Sequence, residues 1–239
     1  MKALILAAGK GTRLGGITKK LPKPMIELNG KPILEHNIEI CKQAGIKEIF
    51  INLHHLPEKI TKYFGDGSRF SVKITYNHEK ELLGTAGALR DFKNDIGNDS
   101  FFVIYGDNYS TFNLLDLKNF NTKKNGDASI LYHWRKNVAS SGISEFNNDH
   151  RILKFIEKPG EKYAKEDWVN AGIYYFNNRN IFGYISKFDD FARDLFPKLI
   201  AEDYKLFGYK DKIELLAFDT PELLSRNKYN QKHNLKAIE

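Results

Sequence analysis

Short apolar runs alternate with segments of helical periodicity through residue 105. Residues 2–7 are continuously apolar after Lys2 and predict a buried strand. Between Pro32 and Gly45, apolar residues recur at spacings of three and four, which predicts a helix that starts at Pro32. Similar patterns predict strands at 48–53, 72–76 and 101–105 and helices at 57–64 and 85–92. This alternation is typical of a parallel sheet with helices on both faces.

The second half of the chain carries strand patterns with fewer helices between them. Residues 128–134, 151–156 and 171–176 predict strands that join the sheet as mixed or antiparallel additions and build a substrate-side lobe. Helices are predicted around 190–200 and 220–237. The sequence shows no repeat, no low-complexity linker and no clear domain boundary. The predicted fold class is therefore α/β, with a Rossmann-like mixed sheet flanked by helices in one domain, 1–239.

Composition indicates a globular protein of a reducing compartment. The chain has 239 residues, of which 41% are hydrophobic and 13% aromatic, as expected for a globular protein. Its single cysteine, Cys41, excludes an intrachain disulfide framework and fits a reducing compartment. No apolar stretch has the length of a signal peptide or a spanning helix, so we expect a cytoplasmic protein without membrane contact.

The charge balance indicates a small anionic substrate. The net charge is +7, from 37 basic and 30 acidic residues. The basic residues are spread along the chain and form only pairs, such as Lys19-Lys20 and Lys123-Lys124, instead of a basic block. We therefore expect anionic small molecules as partners and no nucleic acid.

The glycine-rich loop that follows the first strand predicts phosphate binding. Gly9 and Gly11 allow a sharp turn that exposes backbone N–H groups, and Lys10, Arg13 and Lys23 follow within a few residues. The loop is neither a dinucleotide fingerprint nor a Walker loop, because Leu14 replaces the third glycine and Ile17 stands where the second pattern needs Lys. A glycine turn with solvated lysines remains the alternative to a phosphate cradle.

Three further stretches place polar groups at strand ends, where ligands bind in parallel sheets. Asp107 and Asn108 follow the strand at 101–105, and a carboxylate there suits Mg²⁺ bound to phosphates; a simple turn is the alternative. Residues 157–158, Glu-Lys, follow the strand at 151–156 and are either ligand contacts or a solvated pair. Residues 170–172, Asn-Ala-Gly, suit a hydroxylated ligand, or a bulge at Gly172.

These motifs stand in the order found in one enzyme family. The chain reads A-A-G-K-G-T-R-L at 7–14 with Lys23 between two prolines, then G-T-A-G-A-L at 84–89, G-D at 106–107, E-K-P at 157–159 and N-A-G-I-Y at 170–174. In this order the chain resembles the sugar-1-phosphate nucleotidyltransferases over nearly its whole length. The segment 84–89 most resembles the mannose- and heptose-1-phosphate guanylyltransferases, whereas His54-His55 and residues 65–70 resemble uridylyltransferases that act on amino-sugar phosphates. The resemblance implies a nucleotidyltransferase fold of the GT-A-like type, with a nucleotide-binding half at 1–110 and a sugar-phosphate-binding half at 111–239.

The resemblance also assigns roles to residues. Arg13 and Lys23 resemble the residues that hold the triphosphate and the departing pyrophosphate, and Lys158 resembles the cation that binds the sugar phosphate; these are the predicted catalytic residues. The predicted nucleotide-binding residues are Leu6, Ala7, Ala8, Gly9, Lys10, Gly11, Thr12, Glu79 (with Glu81 as an alternative), Gly84, Thr85 and Asp107. The predicted substrate-binding residues are Asn108, Gly142, Glu157, Asn170 and Gly172. Asp107 is the predicted ligand of Mg²⁺, the implied cofactor.

Two departures from the family pattern bear on these roles. Ser141 precedes Gly142 where the family has an aromatic residue. The family's Asp-x-Gly-Thr-Pro reads here as residues 217–221, so Ala217 replaces the second metal ligand and Asp219 replaces the glycine. Residues two apart on a strand share a face, so Asp219 is predicted as the replacement ligand, with a helix cap as the alternative.

The implied reaction transfers a nucleoside monophosphate from a nucleoside triphosphate to a sugar 1-phosphate, releasing pyrophosphate, for the synthesis of cell-surface polysaccharide precursors such as capsule or lipopolysaccharide. GTP is slightly favoured over UTP, CTP or dTTP. A non-sugar phosphorylated acceptor and a non-catalytic nucleotide sensor remain alternatives, whereas a glycosyltransferase would need an Asp-x-Asp motif, and Asp107 is followed by Asn108 and Tyr109. We expect a stand-alone transferase, leave a homodimer open, and expect His54 and His55 to pack in a loop and not to bind zinc.

Overall fold

A computed structural model describes residues 1–136, 138–160, 168–177 and 181–225 of the chain. The strands are β1 (Lys2–Leu6), β2 (Glu27–Leu28), β3 (Lys31–Pro32), β4 (Glu48–Leu53), β5 (Lys73–His78), β6 (Phe101–Tyr105), β7 (Asn108–Ser110), β8 (Ala128–Trp134), β9 (Gly142–Phe146), β10 (Ile152–Glu157), β11 (Trp168–Phe176), β12 (Leu206–Asp211) and β13 (Leu215–Ala217). The α-helices are α1 (Ile33–Gln43), α2 (Pro57–Phe64), α3 (Thr85–Asp91), α4 (Lys93–Ile96), α5 (Leu114–Lys124) and α6 (Phe196–Ala201). A π-helix at Phe191–Leu195 leads directly into α6.

Seven strands form one mixed sheet in the order β12-β8-β11-β6-β1-β4-β5. β4 and β5 run parallel, as do β8 and β12, whereas β11 lies antiparallel to β8. The α/β prediction with a mixed sheet flanked by helices is therefore confirmed. None of the helices in the described part of the chain has the length and apolar character that crossing a membrane requires.

The chain divides into two compact units. The N-terminal unit comprises residues 3–82, 104–112 and the segment from 214 onward, and the central unit comprises residues 1–2, 83–103 and 113–213. In the N-terminal unit, α1 starts after Pro32 as its sequence predicts, and both α1 and β4 bury most of their apolar residues. The central unit has an aromatic core in which the rings of Tyr174, Phe191 and Phe196 contact one another at centroid distances of 5.0–5.8 Å. Burial of each such side chain contributes roughly 1.5–3 kcal/mol to folding.

The second half differs from its prediction at β10 and in elements that were not predicted. β10 extends to Glu157 and pairs with β9 in a separate two-stranded sheet, so the strand predicted at 151–156 contacts the main sheet through a bridge between Arg151 and Phe207 of β12 and is not one of its seven strands. α5, β9 and β12 were not predicted. Residues 221–225 are helical, as predicted, and the rest of the helix predicted at 220–237 lies outside the described residues.

Candidate functional site

The glycine loop after β1 is held in shape by a threonine. Gly11 has a φ of +60°, and an added Cβ there would lie 2.8 Å from Cγ2 of Thr18. The buried Thr18 hydroxyl lies 3.0 Å from the carbonyl oxygen of Gly11 and 3.3 Å from that of Gly15. The Thr18 carbonyl oxygen in turn lies 2.6 Å from Nε2 of His55. Thr18, which the sequence pattern did not single out, therefore fixes the loop that carries Lys10, Thr12 and Arg13.

Lys23 lies buried between two carboxylates. It opens a short 3₁₀ helix, Lys23–Met25, and its side chain is 6% exposed. Its Nζ donates to Oδ2 of Asp107 at 2.6 Å and also to Oδ1 of Asp219. Nη2 of Arg13 lies 3.2 Å from the same Asp219 oxygen, and the Arg13 side chain is 70% exposed. The N-terminal unit thus brings Arg13, Lys23, Asp107 and Asp219 into one ion cluster.

The charge state of Lys23 follows from this cluster. Burial alone lowers the pKa of the Lys23 ammonium, but the charges and hydrogen bonds of Asp107 and Asp219 outweigh burial and raise the pKa above its ordinary value. Lys23 is therefore a fixed positive charge at neutral pH. A buried cation of this kind is suited to holding a polyphosphate.

The two carboxylates also fit a divalent cation. Asp107 and Asp219 have side chains that are 34% and 29% exposed, so an ion can reach them. Among the described residues, no group of three or more His, Cys, Asp or Glu side chains forms a complete metal site. Mg²⁺ is commonly held by one or two carboxylates, with phosphate oxygens and waters as the other ligands. The donor set therefore suits a metal that is shared with a phosphate ligand.

Asp219 reaches the cluster from beyond β13. The strand ends at Ala217, which pairs with Asn108, so the expectation that Asp219 lies on the strand is wrong. The helix that follows is capped by Thr220, whose hydroxyl accepts from the N–H of Leu223 at 3.3 Å. The side chain of Asp219 contacts Lys23 instead.

A buried amide links the ends of three strands in the N-terminal unit. Oδ1 of Asn52 accepts from the N–H of Ala7 at 2.8 Å, and Nδ2 of Asn52 donates to Oε1 of Glu79 at 2.7 Å. Asn52 and Glu79 are 3% and 6% exposed. His54 Nδ1 lies 2.9 Å from the Glu79 carbonyl oxygen, so His54 and His55 both bond to backbone oxygens, as a loop pair does. Asn52 thereby fixes Glu79 relative to Ala7.

The remaining predicted residues near β1 and β6 are packed against each other. The carbonyl oxygen of Leu6 accepts from the N–H of Gly106 at 2.9 Å, and an added Cβ at Gly106 would lie 2.8 Å from that oxygen. The carbonyl oxygen of Asn108 accepts from Nδ2 of Asn37 at 3.2 Å. Ala8 is buried, whereas Gly9 and Lys10 are exposed. Gly106 therefore allows the backbone that carries Asp107 to approach β1 closely.

In the central unit, the start of α3 is fitted to a backbone segment at 187–190. The N–H groups of Ala86 and Gly87 both donate to the carbonyl oxygen of Asp189 at 2.9 Å. The Thr85 hydroxyl donates to Oδ2 of Asp190 at 2.8 Å and accepts from the N–H of Phe191 at 3.0 Å. Oδ1 of Asp190 also accepts from Ala192 N–H and caps the π-helix. Asp190 therefore joins Thr85 to the π-helix, a connection the sequence pattern does not reveal.

The central unit also brings Glu157 beside Gly142. The two residues pair across β9 and β10, and an added Cβ at Gly142 would lie 2.9 Å from Oε2 of Glu157. Burial and the nearby Asp190 raise the pKa of the Glu157 carboxyl, against the opposing effect of Lys158 and Arg193. Gly142 thus leaves the space that the Glu157 carboxylate occupies.

Lys158 is exposed and has a φ of +50°, a conformation that non-glycine residues seldom adopt. Its N–H donates to the carbonyl oxygen of Ser141 at 3.2 Å. Oγ of Ser141 accepts from Arg135 Nη1 at 3.4 Å. Ser141, which stands where the family pattern has an aromatic residue, therefore contacts the cation Arg135.

Asn170 and Gly172 lie at an irregularity of β11. The pairing of β11 with β8 shifts register between Asn170 and Tyr174, and Gly172 has a φ of +72°. Oδ1 of Asn170 accepts from Gly172 N–H at 2.9 Å, and Nδ2 of Asn170 donates to the Tyr174 hydroxyl at 2.8 Å. The bulge reading of Gly172 is confirmed, and it fixes the Asn170 amide in one orientation.

Comparisons with known proteins show which proteins the chain is similar to. The family described as nucleotidyl transferase matches residues 2–214. The chain is 37% identical over 215 residues to the UTP–glucose-1-phosphate uridylyltransferase of Synechocystis sp., covering 84% of this chain and 55% of that protein. It is 31% identical over 223 residues to the mannose-1-phosphate guanylyltransferase of Mycobacterium tuberculosis, covering 92% of this chain and 61% of that protein. The chain thus spans between 55% and 61% of the length of these two relatives.

A solved structure shares the fold. It is the crystal structure of a protein described as a glucose-1-phosphate thymidylyltransferase from Bacillus anthracis, in complex with a sucrose. The TM-score is 0.85 at 26% sequence identity, and the match covers 97% of this chain and 95% of that one.

Proposed function

Because the chain belongs to the nucleotidyl transferase family, we propose that it transfers a nucleoside monophosphate from a nucleoside triphosphate to a sugar 1-phosphate. An oxygen of the sugar phosphate forms a bond to the α-phosphorus, the bond from the α-phosphorus to the bridging oxygen breaks, and pyrophosphate leaves with that electron pair. The product is a nucleoside diphosphate sugar, a donor suited to polysaccharide assembly. The observation that carries the proposal is the buried Lys23 ammonium between Asp107 and Asp219, with Arg13 beside them.

The leaving group is the first chemical problem of this reaction. Pyrophosphate departs as a polyanion, and fixed cations that meet its developing charge lower the barrier. Lys23 and Arg13 supply such charges in the N-terminal unit, and the Thr18-braced loop presents Arg13. When bound at Asp107 and Asp219, Mg²⁺ would neutralise phosphate oxygens and bridge them to the protein.

The attacking group needs no general base. The second pKa of a phosphate monoester is about 6, so a sugar 1-phosphate is largely dianionic at neutral pH. The protein therefore has to bind and orient this group, and the exposed ammonium of Lys158 is suited to that task. The Glu157 carboxylate lies beside Gly142, and the Asn170 amide is held by the Gly172 N–H and the Tyr174 hydroxyl; the two side chains supply acceptors and a donor for sugar hydroxyls.

Glu79 supports a preference for one base. Its carboxylate is an acceptor-only group when ionised, and Asn52 holds it in one position at the end of β5. Guanine offers adjacent N–H donors on its Watson–Crick edge, which suits a carboxylate better than the alternating edge of uracil or thymine does. We therefore favour GTP over UTP, CTP and dTTP.

The proposal is tested by a pyrophosphate-release assay with each of four nucleoside triphosphates against a panel of sugar 1-phosphates. We expect turnover of at least one pair, with GTP preferred and with loss of activity on addition of EDTA. Nucleotide binding without turnover of any pair would instead favour the nucleotide-sensor alternative. That alternative is considered for this chain because Ala217 replaces the family's second metal-binding aspartate. Turnover only with phosphorylated acceptors that are not sugars would correct the acceptor class.

A further inference from the structure

The ammonium of Lys23 joins two carboxylates that come from distant parts of the chain. Asp107 follows β6, and Asp219 lies beyond β13 in the last described segment. Lys23 Nζ donates to Asp107 at 2.6 Å and also contacts Asp219, while its own side chain is 6% exposed. Since carboxylates of like charge repel at short distance, the Lys23 ammonium between them, with Arg13 at Asp219, offsets this repulsion.

The same two carboxylates are the groups that would hold a divalent cation. Mg²⁺ binds carboxylate oxygens at about 2.0–2.1 Å and prefers an oxygen shell of near-ideal octahedral geometry. An ammonium that donates to Oδ2 of Asp107 and to Oδ1 of Asp219 competes for these atoms and repels the cation. Lysine and metal therefore exclude each other from full contact with this pair.

We infer that Lys23 is a positioning residue that occupies the carboxylates of Asp107 and Asp219 and releases them to a divalent cation only when a triphosphate binds its ammonium. The inference rests on the proposed function in that it assigns the triphosphate to this site. Its consequence is an order of events: the nucleotide-free chain has little affinity for the metal, which enters with the nucleotide.

The charges of the cluster support this order. Lys23 and Arg13 carry two positive charges and Asp107 and Asp219 two negative ones, so the cluster is formally neutral. A divalent cation alone would add uncompensated positive charge, whereas a triphosphate brings negative charge that attracts both the lysine and the metal. Asp107 and Asp219 stay partly exposed and accessible to the incoming ion.

The test measures Mn²⁺ binding to the nucleotide-free chain by electron paramagnetic resonance. We expect Lys23→Met to bind Mn²⁺ at least ~10-fold more tightly than the wild type, because the competing charge is removed from between the carboxylates. Arg13→Met is the matched control: it removes the same formal charge from a side chain that is 70% exposed, and solvent screening should limit its gain to less than ~3-fold. Asp107→Asn added to Lys23→Met should abolish the gain.

Thermal unfolding gives a second readout that needs no enzymatic activity. A ligand that binds only the folded state raises the midpoint of unfolding, so Mn²⁺ should raise the midpoint of Lys23→Met and of Lys23→Gln and leave the wild type unchanged. Mn²⁺ binding by both lysine variants that equals or falls below wild-type binding would overturn the inference, as would a wild-type midpoint that rises with Mn²⁺ alone. Because no turnover is measured, this test is independent of the proposed function: Mn²⁺ binding can contradict the inference while pyrophosphate is released, and it can agree with the inference while no pyrophosphate is released.

Discussion

Gly84 offers a test of how tightly α3 is fitted to the segment at 187–190. Gly84 has a φ of +79°, and a Cβ added there would lie 2.4 Å from the carbonyl oxygen of Asp189 and 3.1 Å from that of Phe188. These are backbone atoms, which cannot rotate away as the end of a side chain can. Gly84→Ala therefore meets two separate penalties, one from backbone strain and one from the clash.

The magnitude follows from these two terms. The backbone of Gly84, with a φ of +79° and a ψ of 171°, lies in a region that glycine alone adopts readily, and a non-glycine residue there costs roughly 1–3 kcal/mol. Forcing an extra methyl group into a packed site costs roughly 1–3 kcal/mol more. We therefore expect Gly84→Ala to lower the free energy of unfolding by about 2–6 kcal/mol, with a loss of nucleotide affinity if Thr85 is displaced along with it.

Gly97→Ala is the matched control, measured with Gly84→Ala by urea unfolding followed by circular dichroism. Gly97 has a φ of +59°, but the nearest atom to an added Cβ, Asn94 O, lies 3.9 Å away. This variant should show the cost of backbone strain alone, about 1–3 kcal/mol. An equal loss in the two variants would refute the conclusion that the Asp189 backbone constrains the start of α3.

Three further predictions concern the two units. Asp107→Ala and Lys23→Ala should each lower kcat at least ~100-fold in the pyrophosphate-release assay, the scale of one electrostatic contact in a transition state; near-normal rates in both would refute the assignment of the ion cluster. Thr85→Val and Asp190→Ala should each destabilise the chain, and because the two side chains bond to each other, a double-mutant cycle should show a coupling of about 0.5–3 kcal/mol, whereas additive losses would contradict that bond. Burial and Asp190 raise the pKa of the Glu157 carboxyl. The protonated carboxyl therefore stabilises the fold below the unfolded pKa of about 4.3, and this contribution is lost as pH rises through the folded pKa. In thermal unfolding scans, Glu157→Gln should be more stable than wild type at pH 7 and lose this advantage toward pH 4; a constant difference between the two proteins across this range would show that the carboxyl does not titrate as described.

The strands and helices of the first half could be predicted because their signals are local. β4 and β6 match the predicted residues 48–53 and 101–105 because each is a short, nearly unbroken apolar run. α2 matches residues 57–64 because Pro57 has a φ that is preset for the first helical position and Gly65 adopts the positive φ that ends the helix.

The second half was predicted less well because its signals depend on tertiary contacts. α5 buries only Leu114, Leu117 and Asn121, and the polar Asn121 weakens its periodicity. The apolar sequence pattern of β12 is interrupted by Gly208, where an added Cβ would lie 2.2 Å from Cε1 of Phe146. The glycine is required by a side chain on β9, far away in sequence, so the local pattern carries no sign of a strand there.

The same distinction holds for the candidate site. Lys23, Arg13 and Asp107 could be selected because a glycine loop with cations and a carboxylate at a strand end have a known chemical use. Asn52 and Asp190 could not, because their bonds join residues 45 and 105 positions apart, to Ala7 and Thr85 respectively. The contact of Asp219 with Lys23 spans 196 positions and was reached only through the family pattern.

The central claim is that a sugar phosphate oxygen attacks the α-phosphorus of the nucleotide. It is tested most directly with sugar 1-phosphate that carries ¹⁸O on its phosphate oxygens, incubated with the chain, Mg²⁺ and the preferred nucleoside triphosphate, followed by mass spectrometry of both products. The account predicts that the full label is found in the nucleoside diphosphate sugar and none in pyrophosphate. Label in the released phosphates, or release of a nucleoside diphosphate in place of pyrophosphate, would contradict it.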